Sequence, residues 1–177
     1  MSKPRIIAGT AKGRYLETPT HGTRPSPSRL REALFNILQS REQGTFLDLF
    51  GGSGAVGLEA ASRGWEVTLI DLSKEAASII RQNAKNLKLN ANVIQGDALK
   101  FIANPSEKYD IVFASPPYTL ELPPIYQKIY DSNIARELLI FQHPTTLPLH
   151  YPNAATRVYG SNALTFIETD KSRSDKT

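Results

Sequence analysis

Two clusters of residues in the 177-residue chain have the types and spacing to do chemistry. The first, Asp48-Leu49-Phe50-Gly51-Gly52-Ser53-Gly54, is an acid followed by a glycine-rich run; the second is Ser115-Pro116-Pro117-Tyr118. Glycines let a backbone approach a ligand closely and reach dihedrals closed to other residues, and a helix opening behind them offers free N–H groups. Gly52, Gly54 and Gly57 fit the spacing G-x-G-x-x-G, and Asp71 follows where an acid meets ribose in dinucleotide-binding turns. A plain tight turn, with Asp71 capping the next helix, would leave the same trace. Asp48 separates the possible ligands. A carboxylate there repels the pyrophosphate of a nicotinamide cofactor. S-adenosylmethionine carries an ammonium and a sulfonium and no phosphate, so an acid can hold it by charge and hydrogen bonds. Asp71 is then expected to accept from ribose hydroxyls. Asp97, in Gly96-Asp97-Ala98, has two readings: an adenine contact, or an N-cap ahead of Leu99 and Ile102.

In the second cluster, successive prolines cannot donate backbone hydrogen bonds and fix a stiff turn with outward carbonyls. An exocyclic purine amine is a poor nucleophile because its lone pair is delocalised into the ring. If the Ser115 hydroxyl and the Pro116 carbonyl accept its two N–H groups, the lone pair turns toward an electrophile and the developing positive charge is stabilised. Tyr118 is placed to stack on an extruded base. A strand-terminating turn with a buried tyrosine is the alternative.

The elements around these clusters follow from periodicity. From Thr45 onward strands alternate with helices: strands at 45–50, 65–71, 92–95, 109–114 and 138–142, helices at 55–63, 73–87, 97–102 and 124–131, and a closing hairpin of 156–160 with 163–168. Such β-α-β units imply a Rossmann-like α/β domain with a mostly parallel, doubly wound sheet and a C-terminal antiparallel hairpin. Ligands in such sheets bind beyond the carboxyl ends of the strands, which is where both clusters fall. Upstream, 6–9 and 14–18 read as a β-hairpin appendage. Ser26 and Pro27 read as a cap and first helical residue, and Leu30, Ala33, Leu34, Ile37 and Leu38 as a helix stripe leaving Arg29 and Arg31 off it. The expected organisation is a basic hairpin-and-helix extension at 1–42, a catalytic domain at 43–170 and a flexible tail at 171–177.

Composition narrows the partners. The chain is 40% hydrophobic and 21% charged with net charge +4, ordinary for one globular domain. No cysteine is present, and His21, His143 and His150 are scattered, so thiol chemistry and metal ligation are not expected. No apolar run approaches the roughly 20 residues of a membrane span, and the first residues resemble no signal peptide, so the cytoplasm is expected; a monomer is expected as well. Residues 1–42 hold eight Lys/Arg against three acids, whereas the remainder holds thirteen against fourteen. A basic arm on a near-neutral body points to a polyanion.

The segments RIIAG and KGRYLETP within 5–19, TRPSPSRLREALFNIL at 23–38, FLDLFGGSGAVGLEAASRG at 46–64, GDAL at 96–99 and Pro-Pro-Tyr at 116–118 together resemble the RsmD-type family of 16S ribosomal RNA guanine-N methyltransferases, S-adenosylmethionine-dependent enzymes of class I. The resemblance implies a donor site of Asp48, Phe50, Gly51, Gly52, Ser53, Gly54, Asp71, Leu72, Asp97, Ala98 and Ser115. It implies a catalytic base site of Ser115, Pro116, Pro117 and Tyr118, and contacts to ribosomal RNA or the small ribosomal subunit. Phosphate contacts are expected from Lys12, Arg14, Arg24, Arg29 and Arg31, with exposed solubilising charge the alternative for some of them. The chain departs from the family pattern at Ser115, where an Asp is usual, and at Gly51, which replaces a common alanine. An NAD(P)-dependent oxidoreductase and a catalytically weak RNA-binding homologue are the competing functions.

Overall fold

The computed structural model describes residues 3–20 and 26–169. Its elements, in order, are α1 (Ser28–Leu38), β1 (Thr45–Asp48), α2 (Ala55–Ser62), β2 (Glu66–Asp71), α3 (Lys74–Asn86), β3 (Ala91–Gln95), α4 (Ala98–Ala103), β4 (Tyr109–Ala114), α5 (Leu122–Ser132), β5 (Ala135–Pro144), β6 (Ala154–Tyr159) and β7 (Asn162–Glu168). Seven strands form one sheet in the order β3-β2-β1-β4-β5-β7-β6. The first five strands pair in parallel, with Phe46 of β1 between Val67 of β2 and Ile111 of β4. Strand β7 lies antiparallel between β5 and β6. The expected doubly wound sheet with a closing antiparallel hairpin is therefore present.

Period-two alternation sends neighbouring strand residues into two cores. Phe46, Ile111, Phe113 and Ile140 pack with residues of α1, α2 and α3 on one face. Leu47, Val112, Ala114, Leu139 and Phe141 pack with α4 and α5 on the other. The strand order reverses between β1 and β4, so the crevice opens between their carboxyl ends. Two sequence features end those strands. Strand β4 stops at Ala114 because Pro116 and Pro117 cannot continue a ladder. Beyond Asp48 the chain crosses over β1: the Leu49 N–H still donates to Phe113 O at 3.0 Å, and the Gly51 N–H donates to Ile70 O at 2.8 Å on the other side.

The N-terminal arm differs from the expected hairpin. Its pairing reduces to one antiparallel bridge, Arg5 with Tyr15, because Gly9 to Gly13 wind through a turn and leave few residues to pair. Nor is the arm an appendage: Ile6, Ala11 and Leu16 are buried in the same core as α1 and the sheet. Helix α1 begins at Ser28 with Pro27 in the N-cap position and no side-chain cap, so Ser26 is not the cap its position predicts. The tail at 171–177 lies outside the described residues. No described helix is long and apolar enough to cross a membrane.

Candidate active site

The glycine loop and the Ser-Pro-Pro turn meet at the crevice. Gly54 holds the N-cap of α2 with φ +83°, a left-handed conformation that favours glycine. Gly57 serves packing, since a Cβ there would lie 2.3 Å from Leu69 Cδ2 of β2. Between them the loop walls a cavity of about 50 Å³ into which Asp48, Phe50, Gly51, Gly52, Ser53 and Ser115 all face. Ser26, Ala55, Val56 and Phe113 complete the wall.

Asp48 is buried, and only one of its carboxylate oxygens is bonded: Oδ2 accepts from the Gly57 N–H at 3.2 Å. Oδ1 is buried with no hydrogen-bond partner. Burial pushes the carboxyl up to about 7, helped by the negative Asp71, while the backbone amides of Phe50 and Gly57 pull the other way. An orphaned carboxylate oxygen is costly to bury unless a donor meets it. The cavity thus fits the ammonium of S-adenosylmethionine, the cofactor expected here.

Asp71, at the end of β2, accepts from the Gly52 N–H through Oδ2 at 2.7 Å and from the Ser73 N–H through Oδ1 at 2.9 Å. It fixes the loop to its neighbour and keeps further lone pairs for an incoming hydroxyl. The cap of α3 belongs to Ser73, whose Oγ accepts from the Ala76 N–H. Leu72 beside it is 70% exposed, an uncovered apolar surface at the crevice rim. Asp97 does cap α4, accepting from the Leu99 N–H at 2.8 Å and the Lys100 N–H at 3.4 Å. Ala98 turns into the core with Ile102. Leu72, Asp97 and Ala98 sit at the ends of β2 and β3 and do not line the cavity.

On the other side, Pro116 is buried, Pro117 is exposed, and the Pro117 carbonyl closes a turn by accepting from the Leu120 N–H at 3.1 Å. Tyr118 is 41% exposed, so the ring is accessible rather than a buried core tyrosine. Its hydroxyl donates to Asn162 Oδ1 at 2.8 Å and is hydrogen-bonded by the Gln142 side chain, which counteracts the upward push of burial on its pKa. The Ser26 hydroxyl donates to Gln142 Oε1 at 3.2 Å. Gln142 therefore links Ser26, in the wall of the cavity, to Tyr118. Neither Ser26 nor Gln142 was legible as a site residue: Ser26 passes for a helix cap, and Gln142 for an ordinary strand residue, although a polar residue ending an apolar strand is a weak signal.

With this geometry in view, known proteins supply the family. A family model described as conserved hypothetical protein 95 matches residues 4–168. Ribosomal RNA small subunit methyltransferase D of Escherichia coli (strain K12) is 38% identical over 143 residues, covering 77% of this chain and 72% of the relative. The chain belongs to this family. Among solved structures of the same shape, a hypothetical protein from Thermus thermophilus is 40% identical with a TM-score of 0.88, over 93% of this chain and 99% of the other. The Thermus thermophilus 16S rRNA methyltransferase RsmC, in complex with AdoMet and guanosine, superposes with a TM-score of 0.75 at 18% identity, over 96% of this chain and 50% of that one. At that identity the likeness shows a shared fold.

The basic face of this family member is narrower than its sequence implies. Arg31 is a correction: it is 1% exposed, and no phosphate can reach it. Its Nη1 donates to Glu59 Oε1 at 3.4 Å and to Arg5 O at 3.1 Å, and its Nε donates to Ser26 O at 3.3 Å. Glu59 also accepts from the Ile7 N–H at 2.7 Å, the Ala8 N–H at 3.1 Å and Arg63 Nε at 2.8 Å. Burial pulls the Arg31 pKa down and Glu59 opposes that pull. The pair fastens the arm and Ser26 to α2. The signal for it was Glu59, an acid within the otherwise apolar helix AVGLEAAS. Lys12, Arg14 and Arg29 are exposed as expected, and Arg24 lies outside the described residues. The described residues hold no group of three or more potential metal ligands.

Proposed function

We propose that this protein methylates an exocyclic amine of a guanine in small-subunit ribosomal RNA, using S-adenosylmethionine. One observation carries the reading: Asp48, whose Oδ1 is buried without a partner, and Ser115 line the same small cavity. A residue able to hold a cation and a residue whose hydroxyl can accept from an amine thus border one space. Membership of the methyltransferase D family supports the substrate class.

When bound, S-adenosylmethionine supplies an electrophilic methyl group on a positively charged sulfur. Asp48 accepts from the donor's ammonium, and Asp71 offers its remaining lone pairs to ribose hydroxyls. The Ser115 hydroxyl and the Pro116 carbonyl accept the two N–H groups of the target amine and turn its lone pair toward the methyl. Tyr118 supports the face of the base. The alkylated amine is acidic, so it sheds its proton to water without a strong general base. Lys12, Arg14 and Arg29 contact phosphates and set the register of the RNA.

The test is transfer of labelled methyl groups to ribosomal RNA and to assembled small subunits, followed by mapping of the modified nucleotide. Label on a guanine exocyclic amine is expected. Label on a ring nitrogen, or RNA binding with no transfer, would contradict the proposal.

A further inference from the structure

Beside the donor cavity runs a second, wider groove of about 820 Å³, lined by Lys3, Arg5, Lys12 and Tyr15 from the arm and by Ser26, Pro27, Ser28 and Glu32 at the start of α1. Ser26 lines both the groove and the donor cavity. Ser26 is thus the one described residue that borders both, and a chain lying in the groove passes next to the cavity at that residue. Arg5 and Tyr15 are partners in the antiparallel bridge, which sets their side chains side by side on one face. The ring of Tyr15 is 60% exposed, while Leu16 next to it is fully buried. Arg5 and Lys12 are exposed and form no ion pair with a described residue, whereas Lys3 is engaged by Glu17 at 2.7 Å.

We infer that the groove is a track for an unpaired RNA strand flanking the target nucleotide, with one base stacked on Tyr15 and its phosphates held by Arg5 and Lys12. The inference rests on the ribosomal RNA reading above and adds to it that the substrate is single-stranded beside its target. An open aromatic ring next to unpaired cations is the combination that binds single strands, because every base has a face to stack and every nucleotide a phosphate to neutralise. A duplex keeps its bases stacked inside and leaves Tyr15 nothing to stack on. Glu32 repels phosphate, so it places the backbone on the Arg5 and Lys12 side of the groove.

The experiment measures binding of a short fluorescent oligoribonucleotide, as a single strand and annealed to its complement, to the full protein and to Tyr15→Ala, Tyr15→Phe and the double variant Arg5→Ala, Lys12→Ala. S-adenosylmethionine binding, followed by calorimetry, shows that each variant remains folded. Tyr15→Ala should weaken single-strand binding by about 5- to 100-fold, the worth of one stacked base. Tyr15→Phe should keep it, and the double variant should flatten its salt dependence. Equal affinity of wild type and Tyr15→Ala, or tighter binding of the duplex than of the single strand, would overturn the inference. Tyr15-dependent binding by a protein that transfers no methyl to ribosomal RNA would instead sink the methylation reading and leave the groove standing.

Discussion

The Arg31 guanidinium and the Glu59 carboxylate meet at 3.4 Å with both side chains almost wholly removed from solvent. Without Arg31, buried Glu59 keeps Arg63 as its remaining cation, but the carbonyls of Ser26 and Arg5 lose their donor. Arg31→Ala should therefore destabilise the protein by about 1–3 kcal/mol, read from urea denaturation. Lys12→Ala, at an exposed position, should leave stability unchanged and reduce the slope of RNA affinity against salt by about one. Equal stability of Arg31→Ala and wild type would contradict the clamp.

Asp48 titrates at about 7 in the folded protein, against about 3.9 for an unfolded aspartate. The folded state therefore holds the proton more tightly. The stability contributed by this group is fully present below about pH 4 and is lost as pH rises to about 7. Asp48→Asn carries no such loss, so without donor its melting temperature should exceed that of wild type at pH 8 and approach it toward pH 4. The same substitution should weaken S-adenosylmethionine binding, and wild-type affinity should rise as pH passes through 7. A variant less stable than wild type at pH 8 would argue against a buried, ligand-seeking carboxylate.

In the proposed transfer, Ser115 accepts from the target amine without carrying charge. Ser115→Ala should slow methyl transfer about 5-fold, the worth of one neutral hydrogen bond. Ser115→Asp restores a charge-assisted contact and should retain or raise the rate. It also adds a carboxylate to the cavity that Asp48 lines, so the pH dependence of donor binding should move upward. Both effects are read from single-turnover rates and donor titrations across pH.

Tyr118 is held at its hydroxyl by Asn162 and Gln142 and leaves its ring accessible. Tyr118→Ala should lower kcat/KM on RNA about 5- to 100-fold with donor affinity unchanged, and Tyr118→Phe should lose less because the ring remains. Gln142→Leu frees both Ser26 and Tyr118 and should fall between them. An unchanged rate for Tyr118→Ala would remove base stacking from the account.

What the sequence showed and concealed divides by range. Strand β4 was legible to the residue because an apolar run meets two prolines, and the N-caps of α3 and α4 were legible because Ser73 and Asp97 act on amides two or three residues away. The glycine loop proposed for the donor was readable for the same local reason: Asp48 and the glycines lie together in the chain. Long-range partnerships were not. Arg31 sits off the narrow apolar stripe of α1, yet the buried face widens to include Phe35, and its partner Glu59 lies on another helix. Ser26 looks like a local cap but spends its hydroxyl on Gln142, 116 residues away. The proposed base site was thus half visible, with its turn in one segment and its supports in two others.

The most direct measurement is a crystal structure of the protein with S-adenosylmethionine bound. The account predicts the donor's ammonium within hydrogen-bond distance of Asp48 Oδ1 and its methyl group directed at the Ser115 hydroxyl. A donor bound away from the glycine loop, or one whose methyl points away from the Ser-Pro-Pro turn, would contradict it.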